Sequence, residues 1–229
     1  DRKSTRLNPD RKSTRLTGVR RVLFRSGIEY AKKQLNPDFI IMINNDTIIE
    51  QRDFCKLIIS KYDSEKFAIA GPNIISLKGS INQNPIAYKK PTLKDITNRV
   101  LKYKTLKLAC VLNMDKVMHK LNKLVVKEKK NISKDFKLHG SCLIFSKDYI
   151  SRYDGLYSKT FMYGEEDILK WISIRDNLKM AYLKDIFIYH KEDVSTDKVF
   201  SNEKKKRLFY YKWNIDSLEK LKELMKRGY

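Results

Sequence analysis

Four short stretches of this sequence hold residue types that could do chemistry. The first, Asn44-Asn45-Asp46, closes the apolar run Phe39-Ile40-Ile41-Met42-Ile43. A carboxylate placed there can hold Mg²⁺ or Mn²⁺, which in turn bridges phosphate oxygens, and the asparagines add neutral ligands or ribose contacts. The same triplet is also ordinary turn chemistry. The second is Thr160-Phe161-Met162-Tyr163-Gly164-Glu165-Glu166-Asp167. Three adjacent carboxylates repel one another, which raises at least one pKa unless a cation, a metal or a helix dipole offsets it. That environment suits a general base, and it equally suits the first turn of a helix, whose dipole acidic residues complement. The third is His190, with Ser195 five residues on. A lone histidine after a strand is usually structural, yet it could give a nitrogen ligand to a cation held by Asp46. The fourth is His139-Gly140-Ser141-Cys142, a small-residue turn that either lets a ligand approach the backbone or is merely a tight bend.

These residues need elements to position them. Gly27 to Leu35 has helical spacing at Ile28, Ala31 and Leu35, ended by Asn36-Pro37-Asp38. The run 39–43 has no polar alternation and reads as a strand buried on both faces, as in a parallel sheet. Helical spacing returns over 51–61 through Phe54, Leu57, Ile58 and Ile59. Phe67-Ala68-Ile69-Ala70 reads as a second buried strand, closed by Gly71-Pro72-Asn73. Helix, strand, helix, strand in this order predicts an α/β sheet with right-handed crossovers. Residues 74–91 read as a loop with Asn82, Asn84 and Pro85 near its tip. Residues 92–130 read as mostly helical, with Val100, Leu101, Leu108, Val111, Leu112, Val117 and Leu121 as expected buried positions. Leu143-Ile144-Phe145 and Met180 to Tyr189 read as strands, with a helix after Glu165. From about 202 to 227 a basic amphipathic helix carries the stripe Ile215, Leu218, Leu221, Leu224, Met225.

At 229 residues, with 41% hydrophobic residues, the chain suits one ordinary domain and is too apolar to be disordered despite 33% charge. The net charge of +22 is uneven. Residues 1–26 hold nine Lys/Arg against two Asp/Glu, which leaves +15 for residues 27–229. Residues 1–9 (DRKSTRLNP) and 10–18 (DRKSTRLTG) are near copies, Arg-rich where the rest is Lys-, Asn- and Ile-rich. This segment resembles translated adapter sequence, so 1–26 is expected to be non-native and the fold to start at Gly27. The competing reading is a natural basic arm for nucleic acid or anionic lipid. The remaining +15 favours polyanionic partners such as nucleotide diphosphates, phosphorylated lipid carriers, anionic membrane or nucleic acid. Cys55, Cys110 and Cys142 lie far apart without CxxC spacing and read as buried thiols of a reducing compartment. No apolar run approaches the ~20 residues of a membrane span.

Taken in order, GIEYAKK, FIIMINNDTIIE, AIAGPNI, HGSCLIFSKDYISRYDGLYSKTFMYGEEDIL and IYHKEDVST resemble the inverting family-two glycosyltransferases of GT-A fold, above all bacterial enzymes that build surface polysaccharides, rhamnosyltransferases among them. A terminal FYYKWN before an amphipathic helix also fits. The resemblance covers about residues 27–76 and 138–215. It implies a Rossmann-like mixed sheet flanked by helices, lacking the first strand–helix units that grip the nucleotide. It implies that Asp46 binds a divalent cation, Mg²⁺ or Mn²⁺, completed by His190, with Asn44 and Asn45 around it. Glu166 would stand where the family has its catalytic aspartate, flanked by Glu165 and Asp167, and Gly140 and Ser141 would lie near the donor sugar and acceptor. The implied partners are a nucleotide-diphosphate sugar and a glycan or lipid-linked acceptor. The implied place is the cytoplasm, with peripheral contact at the inner face of the plasma membrane.

Two other classes compete. A basic nucleic-acid-binding protein would use the charge and the 13 tyrosines, but no helix-turn-helix, zinc or RNP-like pattern is present, and Glu165–Asp167 would repel phosphates. An inactive scaffold of the same fold would lay the 202–227 helix on anionic lipid. Packing of that helix against the sheet is the reading slightly preferred.

Overall fold

The apolar spacing from Gly27 onward does make a helix, over residues 26–35 (α1). Asn36, with φ of 41°, turns the chain out of it. Ile28 is the residue α1 buries: it lies against Gly155, where an added Cβ would come within 2.6 Å of its Cδ1. Lys32 adds an ion pair to Asp154 at 2.6 Å. The computed structural model describes residues 26–79, 81–114, 135–191 and 202–227.

Strands β1 (Phe39–Ile43) and β2 (Thr47–Ile48) follow, then helix α2 (Phe54–Glu65), strand β3 (Ile69–Ser76), strand β4 (Ile86–Ala87) and helix α3 (Leu93–Val111). After them come β5 (Phe136–Lys137), β6 (Cys142–Ser146), the short helix α4 (Lys147–Ile150), helix α5 (Glu165–Arg175), β7 (Met180–His190) and helix α6 (Glu203–Arg227). Five strands form one mixed sheet in the order β1-β6-β3-β7-β2, and β4 pairs with β5 separately. Among the described strands of this sheet, only β3 and β7 run parallel; β1–β6, β3–β6 and β2–β7 are antiparallel.

The sheet is covered on both faces, and β6 shows why. Its residues alternate: Leu143 and Phe145 enter a cluster with Ile168, Leu169, Ile172, Leu218 and Leu221, whereas Cys142 and Ile144 enter one with Phe54, Ile58, Ala181 and Ile188. Side chains two apart on a strand share a face, so a five-residue apolar run feeds two cores at once. Complete burial of each such Leu or Phe contributes about 1.5–3 kcal/mol. Helices α5 and α6 close one face and α2 the other. The stripe Ile215, Leu218, Leu221, Leu224, Met225 on α6 packs into the first cluster. Leu106, Cys110 and Tyr211 form a smaller contact between α3 and α6.

Four local expectations need correction. The run Phe39–Ile43 is neither fully buried nor paired in parallel: β1 lies at the sheet edge, antiparallel to β6, its one bonded neighbour among the described strands, and all five residues are only half-buried. Apolarity on both faces reports contact above and below the sheet, not pairing along both edges. Gly71-Pro72-Asn73 does not close β3, which continues to Ser76. The proline falls at a register shift between Pro72 and Asn73 against β7, a place where a missing N–H is tolerated. On α3, Val100 is buried as expected, but Leu101, Leu108, Val111 and Leu112 are exposed by 63%, 61%, 52% and 59%. Val117 and Leu121 lie outside the described residues. Finally, Cys110 and Cys142 are buried but Cys55 is exposed; all three are free thiols. Among the described residues no helix is long and apolar enough to cross a membrane.

Candidate functional site

Three turns are laced together by backbone at one end of the sheet. Asn44 N–H donates to the Ser141 carbonyl at 2.9 Å, and Lys191 N–H donates to the Asp46 carbonyl at 2.9 Å. Thr47 pairs with His190 across β2 and β7. The Asn44 carbonyl accepts from Thr47 N–H at 3.3 Å and from Thr47 Oγ1 at 2.6 Å, so Asn44-Asn45-Asp46 forms a turn. Being a turn does not compete with being a site here. The turn is what delivers Asp46 to His190.

Asp46 Oδ1 lies 3.4 Å from His190 Nε2, with the two side chains 14% and 10% exposed. That oxygen is buried and makes no hydrogen bond among the described residues. On the far side of the ring, His190 Nδ1 is 2.8 Å from Gln83 Oε1. An amide oxygen can only accept, so in the neutral ring Nδ1 carries the hydrogen and the Nε2 lone pair faces the Asp46 carboxylate. Two facing acceptors are a pair that a cation placed between them could bind. A histidine whose other nitrogen donates to a fixed acceptor is the usual form of a metal-ligating imidazole. Asp46 and His190 therefore fit a divalent cation. Among the described residues no group of three or more His, Cys, Asp and Glu is gathered at metal-binding distance. Two protein ligands accord with an ion that takes its remaining ligands from water and substrate phosphate. Gln83→Leu is expected to weaken Mn²⁺ binding by about 10–100-fold while Asp46 and His190 stay in place. Titration of Mn²⁺ against the two proteins, followed by its electron-spin signal, checks this; equal affinities would show that Gln83 does not orient the ring.

Ser141 joins this group directly, its Oγ 3.3 Å from His190 Nε2 and 3.4 Å from Nδ1. The turn is itself anchored: Ser141 N–H donates to His139 Nδ1 at 3.2 Å, and His139 N–H donates to Asn84 Oδ1 at 3.1 Å. Asn84 is 1% exposed and its Nδ2 also donates to the Pro72 carbonyl at 2.7 Å. Gly71 leaves the room, since a Cβ there would sit 2.8 Å from Asn84 Nδ2. Gly140 faces the acidic helix. An added Cβ at Gly140 would lie 2.7 Å from Glu166 Oε1, so the turn presses directly on that carboxylate.

The three consecutive carboxylates have separate surroundings. Glu165 and Glu166 are half-buried at the start of α5, after Tyr163 and Gly164 with φ of 65° and 78°. Such a left-handed pair is ordinary for glycine and uncommon for tyrosine. It is braced by α6: Tyr163 stacks edgewise on Tyr210 at 5.0 Å, Phe161 lies 4.0 Å from Trp213, and Ser217 Oγ donates to the Met162 carbonyl at 3.1 Å. Glu166 makes no hydrogen bond or ion pair among the described residues. Asp167 points elsewhere, paired with Lys137 and, at 3.1 Å, with Arg99 of α3. Burial pushes its carboxyl up, but Lys137 and Arg99 outweigh burial and hold it below the usual carboxylate range.

The fold thus brings Asp46, His190, Gly140, Ser141 and Glu166 into one connected group and sets Asp167 apart. Asn44 contributes backbone and Asn45 is exposed. Ser195 lies outside the described residues. Gln83 and Asn84 join this group by hydrogen bonds to His190 and His139; the loop reading of 74–91 named Asn84 only as a tip residue and did not name Gln83. Four polar or proline residues in Asn82-Gln83-Asn84-Pro85 were the available signal. Burial of Asn84 and the bond to His190 are long-range events that local composition does not encode. No protein-family model and no curated protein matches the chain.

Proposed function

We propose that this protein is an inverting glycosyltransferase of GT-A fold, which moves a sugar from a nucleotide-diphosphate donor to a glycan or lipid-linked acceptor. The observation that carries this reading is the orphaned, buried Asp46 Oδ1 facing His190 Nε2, in the same connected group as the Gly140–Glu166 contact. Asp46 and His190 would hold a divalent cation, which supplies charge neutralisation to a departing diphosphate. Ser141 and the Gly140 backbone line the approach between that position and Glu166. Glu166 accepts the proton of an acceptor hydroxyl. The hydroxyl oxygen forms its bond to the anomeric carbon as the bond from that carbon to the diphosphate oxygen breaks, and the configuration inverts. Asp167, fixed between Lys137 and Arg99, holds the first turn of α5 so that Glu166 keeps its place.

Thermal unfolding with UDP, TDP, GDP and CMP, each with and without Mn²⁺, tests the reading. One nucleotide is expected to stabilise in a metal-dependent way. At a hundred times Kd the gain is about 2.7 kcal/mol, a rise in Tm of roughly 5–10 °C. Asp46→Ala is expected to abolish it. Stabilisation that is equal without Mn²⁺, or that survives Asp46→Ala, would overturn the proposal.

A further inference from the structure

We infer that the outer face of α3 is a docking surface for anionic lipid, separate from the face by which α3 holds the fold together. The helix has two apolar sides. Ile96, Val100, Leu106, Ala109 and Cys110 are buried against the rest of the protein. Leu101, Leu108 and Leu112 lie on the other side and are exposed by 63%, 61% and 59%. The positions 97, 101, 105, 108 and 112 follow one another at intervals of four, four, three and four, so they form a single stripe along the helix. Two of them are threonines, and both hydroxyls are turned back to the chain: Thr97 Oγ1 donates to the Leu93 carbonyl at 2.8 Å and Thr105 Oγ1 to the Leu101 carbonyl at 3.0 Å. Val111 and Met114, 52% and 57% exposed, widen the stripe at its C-terminal end.

An exposed apolar stripe of this length on a surface helix marks an interaction site rather than ordinary surface. The charges beside it select the partner. Lys94, Lys102 and Lys107 are exposed on the same helix. Lys204 of α6 adds its ammonium at the apolar end, donating to the Val111 carbonyl at 3.0 Å and to Asn113 Oδ1 at 2.7 Å. Asp95 is the one acid between Leu93 and Val111, and it is engaged in the Thr92 capping box. Leucines between lysines, with Asp95 engaged in the helix cap and Glu219 of α6 paired with Lys104 at 2.9 Å, match an interfacial helix lying on anionic headgroups with its apolar face in the acyl boundary. A second copy of this chain would bring lysine against lysine. The chain's own segment 115–134 is of the same sign, with seven lysines against two acids. The corresponding stripe of α6 is not available, because its leucines are packed in the core.

Sedimentation of the full chain with vesicles tests this. Binding is expected to vesicles of phosphatidylcholine with phosphatidylglycerol, to fall in raised salt, and to be weak on phosphatidylcholine alone. The triple variant Leu101→Gln, Leu108→Gln, Leu112→Gln is expected to lose at least about tenfold in partition, since three leucine side chains no longer leave water. Its melting temperature is expected to stay at the wild-type value, because the substituted residues are exposed. Leu108→Trp gives a second readout that needs no loss of binding: its emission should shift to the blue when anionic vesicles are added. Equal partition of wild type and triple variant, or no blue shift with vesicles, would overturn the proposal. A blue shift that follows protein concentration without vesicles would also overturn it and point to a second copy.

Discussion

Glu166→Gln is expected to reduce turnover by about 10²–10⁴-fold and to leave the melting temperature unchanged, while Asp167→Asn lowers the melting temperature. The two residues are adjacent and nearly identical in chemistry, so the contrast isolates their surroundings. Glu166 is half-buried beside Gly140 and makes no hydrogen bond or ion pair among the described residues. Gln keeps its shape and removes only its ability to take a proton. Asp167 is 10% exposed and holds Lys137 and Arg99, which are 19% and 44% exposed. Asparagine there leaves Lys137 partly buried without its counter-charge. The cost is about 2 kcal/mol, below that of a fully buried pair because water reaches Arg99. In a chain of this size that is a fall of roughly 4–8 °C. The pH dependence has a definite sign. The folded carboxyl of Asp167 is held below its unfolded value, so its contribution is complete above about 3.9, the unfolded carboxylate pKa, and is lost as pH falls through the lower folded value. Asp167→Asn should flatten that part of the acid limb. Activity is read as release of nucleoside diphosphate from a sugar donor carrying the base that stabilises the protein. Full turnover in Glu166→Gln would remove it as the base.

Gly140→Ala is expected to lower turnover by about a hundredfold, with a change in stability within about 0.5 kcal/mol. The added methyl carbon would lie 2.7 Å from Glu166 Oε1 and 3.4 Å from its Cδ. The obstacle is the end of a flexible side chain, so the fold yields easily. What yields is the carboxylate proposed to take the acceptor proton, and displacement of a reacting group by an ångström is enough for a loss of this size. The effect should fall on kcat more than on nucleotide binding, because Asp46 and His190 do not move. Thermal shift with the stabilising nucleotide and Mn²⁺ separates these. Retained nucleotide binding with lost turnover is the expected pair; unchanged turnover would mean that the Gly140–Glu166 contact is only packing.

Much of the fold was legible because periodicity is a local property. The apolar runs at 39–43 and 143–145 and the helical spacing after Glu165 mark elements through side chains a few residues apart. The residues of chemical interest were legible for a related reason. Asp46 and His190 stand at the ends of strand-like runs, where polar residues interrupt an apolar pattern for some cause other than the core. Strand order was not legible: β1 reads as a strand of a parallel sheet because its run is apolar on both faces, and only pairing shows that it is an antiparallel edge. Leu101, Leu108, Val111 and Leu112 were expected inside because leucine spacing announces an apolar face without saying what covers it.

The site divides along the same line. Composition and spacing by themselves determined the inventory: a carboxylate after a strand, an acidic helix start, a small-residue turn and a histidine. The tertiary structure alone decided that Glu166 meets Gly140 while Asp167, one residue and about 100° further around the helix, turns to Lys137 and Arg99. It alone brought Gln83 to His190, 107 residues away in the chain. Local sequence sets which side chains exist and which way the backbone winds. Which of them lie next to each other depends on contacts between distant segments, and those are chosen by packing and by the need to satisfy buried polar groups, neither of which has a period that can be read along the chain.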